Sequence, residues 1–86
     1  SKAISLKPDY VAAYNNMGLV LRDQGKLFEA IDVYKKAISL QPEYAEAYNN
    51  MGVVLKEQSK LDEAIKAYKK AGFNFETITM RLNTEE

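Results

Sequence analysis

The chain has no cysteine, no histidine and no tryptophan among its 86 residues, and only two prolines. Without cysteine there are no disulfides and no thiolate metal site. That composition suits a reducing compartment, so a cytoplasmic setting is the expectation. Without histidine and cysteine, the commonest general base and the best thiol nucleophile are both missing. The acids that remain are scattered beside bases, as in Glu29 with Lys26 and Glu63 with Lys66, which are ordinary i, i+3 surface pairs. No glycine-rich phosphate loop and no EF-hand spacing occurs. Catalysis is therefore not expected, and neither is a metal or another cofactor. A surplus of one charge sign is lacking too, since twelve Lys and Arg balance twelve Asp and Glu. That balance argues against a nucleic acid or an anionic membrane held by bulk charge. The longest apolar run falls far short of the ~20 residues a membrane span needs, and no secretory segment is visible.

What the chain does have is repetition. AYNNMG occurs at Ala13–Gly18 and again at Ala47–Gly52, 34 residues further on. At that offset, Lys2–Ala37 and Lys36–Ala71 agree at 25 of 36 positions. Several mismatches are mild, among them Asp9/Glu43, Leu19/Val53, Arg22/Lys56 and Asp23/Glu57. The protein is a tandem array, so one unit largely determines the fold. It opens in the middle of a unit and reads as a piece of a longer array.

The unit reads as two helices. Across Tyr10–Gln24 the apolar residues Tyr10, Val11, Tyr14, Met17 and Leu21 fall at helical spacing, with no strand alternation. Pro8-Asp9 is expected to start this helix, with Asp9 as its N-cap. Gly25 suits the left-handed position that ends it. The second helix is predicted over Leu27–Leu40 and stops at Gln41-Pro42-Glu43, because proline cannot continue the ladder. The cycle then restarts with Tyr44–Gln58, a turn at Ser59-Lys60, and a helix from Leu61 to about Ala71. Ser1–Lys7 matches Lys35–Gln41 and is expected to be the tail of a second-type helix. The expected divisions are 1–9 for that tail, 10–43 for the first unit, 44–71 for the second, and 72–86 for a terminal segment.

Small residues indicate how the helices stack. Gly18 and Gly52 lie inside helices, where glycine costs roughly 1 kcal/mol relative to alanine. A neighbour that leaves no room for a Cβ would explain that cost. Ala30/Ala64 and Ala37/Ala71 narrow the second helix, and Tyr14/Tyr48 and Tyr34/Tyr68 are the bulky complements. The expected result is an antiparallel hairpin with axes about 8–10 Å apart.

These residues carry a resemblance. The run Tyr14, Met17-Gly18, Leu21, Ala30, Tyr34, Ala37, Pro42 resembles the 34-residue tetratricopeptide pattern, and Tyr48, Met51-Gly52, Leu55, Ala64, Tyr68, Ala71 repeats it. The resemblance covers about Lys2–Ala71. It implies an all-α fold, an α-solenoid of stacked antiparallel helix hairpins, whose concave face is lined by the first helix of each pair. It also implies a non-catalytic module that binds other proteins, usually as peptide segments. Two positions depart from the pattern. Ser59 replaces the turn glycine, and Glu76 stands where the terminating proline belongs.

Once the packing residues are set aside, Asn15, Asn16, Leu19, Arg22 and Asp23 remain in the first copy. Asn49, Asn50, Val53, Lys56 and Glu57 remain in the second. Asn15, Leu19 and Arg22 share a face at i, i+4, i+7. Asparagine is a poor mid-helix residue, so four of them need a reason. A side-chain amide offers a donor and an acceptor together, which matches a peptide backbone. Units repeat at roughly 10 Å and an extended peptide advances ~3.3 Å per residue, so Asn16 and Asn50 would meet every third residue or so. That pattern is similar to the asparagine ladder of the tetratricopeptide arrays of O-linked N-acetylglucosamine transferases. A lysine and arginine clamp for a terminal carboxylate fits less well, because Asp23 and Glu57 sit beside Arg22 and Lys56. The Lys35-Lys36 and Lys69-Lys70 pairs read as a solvated outer face.

The terminal segment departs from the repeat. Ala71, Phe75, Ile78 and Leu82 follow a helical stripe. Either the preceding helix runs on past Gly72, or it breaks at Gly72–Asn74 and a new helix starts with Asn74 as N-cap. The segment either caps the solenoid or joins two copies, with Phe73, Phe75, Ile78 and Leu82 as candidate contacts. Two functions stay open on the sequence. One is a scaffold that binds extended peptides. The other is a self-association module in which the partner is a second copy.

Overall fold

The computed structural model describes residues 2–83, with side chains from residue 10 onward. Ser1 and residues 84–86, which the expected terminal segments include, lie outside them. Five helices follow one another: α1 (Lys2–Asp23), α2 (Leu27–Leu40), α3 (Ala45–Glu57), α4 (Leu61–Ala71) and α5 (Phe75–Asn83). Helices α1 and α2 pack as one antiparallel hairpin and α3 and α4 as another. The second hairpin stacks on the first through α2 with α3 and α1 with α3, and α5 lies against α4. This is the all-α hairpin solenoid that the repeat implies.

The two hairpins are built on the same contact. Tyr34 and Tyr68 are fully buried, and each lays its ring on a glycine of the facing helix. A Cβ placed on Gly52 would stand 2.8 Å from Cε1 of Tyr68, and one placed on Gly18 would run into the Tyr34 ring. Around these rings lie Ala30 and Ala37 of α2 and Ala64 and Ala67 of α4, together with Ala47, Val54 and Leu55 of α3, all buried. Small side chains beside the ring let the backbones approach, and the ring fills the space between them.

Three helix ends close in the same way. At the first turn the amide of Gly25 donates to the carbonyl of Arg22 and that of Lys26 to the carbonyl of Leu21, both at 2.9 Å. Ser59 and Lys60 repeat the pair on Lys56 and Leu55 at 2.9 Å. Gly72 and Phe73 repeat it on Lys69 and Tyr68, at 3.0 and 3.1 Å. Each end needs a left-handed residue at its centre. Gly25 and Gly72 adopt φ of 80° and 103° freely, whereas Ser59 is held at 64° with a Cβ in place, at a cost of about 1–2 kcal/mol. After Gly72 the chain breaks rather than running on. Asn74 caps the new helix, its Oδ1 accepting from the amide of Thr77 at 2.8 Å.

The N-terminal end differs from the sequence expectation. No break occurs at Pro8-Asp9, and Asp9 is not an N-cap, because α1 runs unbroken from Lys2 to Asp23. The two prolines sit in different surroundings. Near Pro42 the preceding Gln41 is extended, with φ −142° and ψ 91°, and α3 folds back against α2. At Pro8 no described helix lies on the N-terminal side for the chain to fold back against. Proline's fixed φ is itself helical, so α1 can pass through Pro8, although the missing N–H and the ring's clash with the preceding turn oppose it.

Replacing Gly18 by alanine puts the two effects in opposition. Alanine favours the helix by ~1 kcal/mol, but overpacking against a buried ring typically costs about 1–3 kcal/mol. The ring is expected to win, so Gly18→Ala should lower the thermal midpoint by several degrees. Gly52→Ala, where the Cβ has slightly more room, should lower it less.

Candidate functional site

The residues left over from packing form the seam between α1 and α3. At 100° per residue, Asn49 and Lys56 lie on one edge of the exposed face of α3, Asn50 and Glu57 on the other, and Val53 between them. The same holds in α1, with Asn15 and Arg22 on one edge and Asn16 and Asp23 on the other. The forward edge of α1 therefore meets the backward edge of α3. Asn50 donates from Nδ2 to Oδ1 of Asn15 at 2.9 Å. Arg22 donates from Nη2 and Nε to the two carboxylate oxygens of Glu57, at 2.8 and 3.3 Å. Each Asn-Asn pair thus has one residue on the edge toward the following unit and one on the edge toward the preceding unit.

The structure treats the ten candidate residues differently. Asn15 is only 4% exposed, and its amide oxygen is held by Asn50. Asn16, Asp23 and Leu19 are exposed. Asn50 is half-buried and keeps its oxygen and a second N–H beyond the bond to Asn15. Val53 is half-buried and packs on the core. Arg22 and Glu57 form an ion pair with side chains 31% and 33% exposed, so solvent screening limits it to about 0.2–1 kcal/mol. The bond to Glu57 nonetheless raises the already high pKa of Arg22. Asn49 has a buried Oδ1 with no hydrogen-bond partner among the described residues.

Lys56 shows what happens where the array changes. It occupies the place in α3 that Arg22 holds in α1, and α5 stands where a third first-type helix would come next. Lys56 donates from Nζ to the backbone carbonyl of Arg81 at 2.8 Å, in the last turn of α5. A cation there also offsets the negative end of the helix dipole. Arg81 in turn lays its guanidinium over Phe73 and Tyr68, at 4.2 and 5.6 Å from the ring centroids. Arg81 could not be singled out in the sequence, because it belongs to no repeated position.

The four candidate self-association residues also divide. Ile78 is buried, and Phe73 and Leu82 pack against the core, with Phe73 edge-on to Tyr68 at 5.9 Å. Phe75 alone stays open, 79% exposed. Three of the four apolar residues thus bind α5 to its own chain.

Stacked helix hairpins, a 34-residue period and small-to-large packing at fixed positions define a tetratricopeptide-repeat protein. A tetratricopeptide-repeat profile matches residues 1–32 and a second TPR-repeat profile matches residues 18–59. The chain is built from tetratricopeptide repeats, a class that generally serves protein–protein interaction without catalysis. Among solved structures it is similar to the crystal structure of MamA, with 34% sequence identity and a TM-score of 0.70. That match covers 92% of this chain and 44% of the MamA chain, so this chain spans less than half of that length. No curated protein matches it. No helix among the described residues is long and apolar enough to cross a membrane.

Tyr34 links the packing to pH. Its hydroxyl is buried without a hydrogen-bond partner among the described residues, and burial pushes its pKa up to about 12 from 10.0, with the Arg22 charge pulling the other way. The folded state therefore holds the phenol proton more tightly than the unfolded chain does. The contribution is complete below pH 10 and is lost as pH rises towards about 12, amounting to roughly 2–3 kcal/mol. Tyr34→Phe should change stability little at neutral pH, since no bond is broken. It should also flatten the alkaline fall in stability, measured by denaturant unfolding at stepped pH. An equally steep fall in the variant would exclude Tyr34 as its source.

Proposed function

We propose that this chain is a non-catalytic scaffold that binds an extended peptide segment along the asparagine face of α1 and α3. A continuing solenoid turns this face inward. Leu19 and Val53 form the apolar strip that the peptide crosses, and Asn16 and Asn50 flank it. The observation that carries this reading is the unused capacity of those two amides. Asn16 is exposed, and Asn50 retains an acceptor and a donor after bonding to Asn15. Asp23, exposed on the same edge as Asn16, favours a ligand with a basic residue nearby, whereas Glu57 is already held by Arg22. Asn15 acts by joining α1 to α3 through its bond with Asn50. Asn16 and Asn50 are the positions similar to the asparagine ladder of O-linked N-acetylglucosamine transferases.

Energetics set the scale. Each amide bond contributes about 0.5–1.5 kcal/mol net. Two asparagines with two bonds each give a few kcal/mol, or roughly millimolar binding after the cost of association. Longer arrays gain strength by adding units. Titration with extended peptides should show Asn16→Ala binding severalfold more weakly than the native protein, with a melting midpoint that is not lowered, because Asn16 is exposed and alanine is the better helix former. Equal affinity for the two proteins would remove the ladder.

A second reading, self-association of two copies, rests on a different observation. Tyr10, Ala13, Met17 and Val20 form a stripe along α1, all exposed. Their counterparts in α3 are Tyr44, Ala47, Met51 and Val54, and α2 packs against that helix. Val20 is 55% exposed while Val54 is 0% exposed. The same positions are thus buried or half-buried in one unit and exposed in the other, and a second copy could cover them. A dimer at low micromolar concentration that Val20→Glu converts to monomer would support this reading. A native protein that sediments as a monomer would end it.

A further inference from the structure

We propose that the groove between α2 and α4, on the side of α3 opposite the asparagines, is a second docking surface that takes an acidic amphipathic helix. The groove has a cavity volume of about 490 Å³, within the roughly 300–1,000 Å³ that ligand clefts occupy. Tyr48, Met51 and Leu55 of α3 make its floor, Phe28 and Ile31 one wall, and Ala67 the other. The site is separate from the peptide face, since on α3 these floor residues lie about 160° around the helix from Val53.

Three observations fix the occupant. The first is where the array departs from its own repeat. Across 27–37 and 61–71 the two second-type helices differ only at Phe28/Asp62, Asp32/Lys66 and Val33/Ala67. Of those six residues, Phe28, Asp32, Lys66 and Ala67 line this groove. Everything the hairpin needs for packing is kept, and the changes open one wall and alter the charge.

The second is Phe28. It is 71% exposed at the groove's mouth, with the ammonium of Lys60 5.2 Å from its ring centroid. The other unit has aspartate at this position, so the fold does not require the ring. An aromatic side chain left largely open to solvent is suited to contact a partner's apolar side chain.

The third is charge. Lys35, Lys60, Lys66 and Lys70 line the groove against Asp32 and Glu63, an excess of two positive charges in a chain whose net charge is zero. Among the described residues Lys35, Lys66 and Lys70 form no ion pair. Lysines rimming an apolar floor attract a segment with carboxylates flanking an apolar stripe, and they repel a basic one. Two outer helices side by side form a trough suited to a third helix, read through anchors at i, i+3 or i+4, and i+7. From Phe28 to Lys35 the wall is about 10 Å long, two helical turns, which holds such anchors.

The probe is a synthetic helical peptide with leucines at i, i+3 and i+7 and glutamates between them, fluorescently labelled and titrated with the whole chain. Its controls are the same peptide with lysine for glutamate and a sequence-shuffled acidic peptide. The expected result is binding of the first peptide alone, weakening with salt. Lys66→Glu/Lys70→Glu should reduce affinity about tenfold or more and Phe28→Ala severalfold, while Asn16→Ala should have no effect. All these side chains are exposed, so circular dichroism should stay native. Equal binding of the shuffled or basic peptide, or insensitivity to both groove variants, would overturn the proposal. Loss of binding on Asn16→Ala would move the peptide to the asparagine face and also overturn it. So would a homodimer that Phe28→Ala breaks, because the occupant would then be a second copy. The peptide-scaffold reading stands or falls on Asn16 and is untouched by any groove variant.

Discussion

One contact organises this molecule: a tyrosine ring set against a glycine of the facing helix, Tyr34 on Gly18 and Tyr68 on Gly52. Glycine costs helix stability and a fully buried tyrosine is hard to satisfy, yet the chain keeps both, twice. The ring supplies a large apolar surface in one side chain, and the missing Cβ lets it reach the backbone. Alanines on either side keep the axes close enough for this to work. With the hairpin angle set in this way, the outward faces of α1 and α3 come side by side in register.

That register explains why the Asn-Asn pair occurs twice. In a stack, each first-type helix has a neighbour on both sides. One asparagine and one cation face forward, and one asparagine and one acid face back. Asn15 with Asn50 and Arg22 with Glu57 are the two bonds this arrangement produces between the units. None of them is strong by itself, as both members of the ion pair are a third exposed. They are directional, however, and apolar packing of alanine and valine is not. The polar seam fixes how the units sit on one another while the tyrosines provide the cohesion.

The end of the array shows the same logic with different residues. Helix α5 offers Lys56 a backbone carbonyl at its C-terminus. Arg81 lays its guanidinium over the rings of Phe73 and Tyr68. The other end has no such substitute among the described residues, and α1 presents to solvent the stripe that α3 buries.

Much of this was legible in the sequence, for a physical reason. The period, the hairpin and the boundaries of α2 and α4 all derive from local chemistry: helical spacing, left-handed turn residues, and a proline that removes a donor. Ser59 stands where the first turn has glycine, and the left-handed backbone is kept there, at φ 64°. The candidate face was legible as a set of residues but not as a set of partners. Which asparagine is buried depends on which neighbour lies beside it, and one helix does not encode that. Local rules likewise placed a break at Pro8, and α1 runs through it, because a chain turns back at a proline only where packing repays the turn. What the sequence determined alone was the repeating unit, through interactions a few residues apart. What only the tertiary structure decided was which copy of each repeated side chain is core, seam or open surface, because identical residues differ in burial only through what is stacked against them.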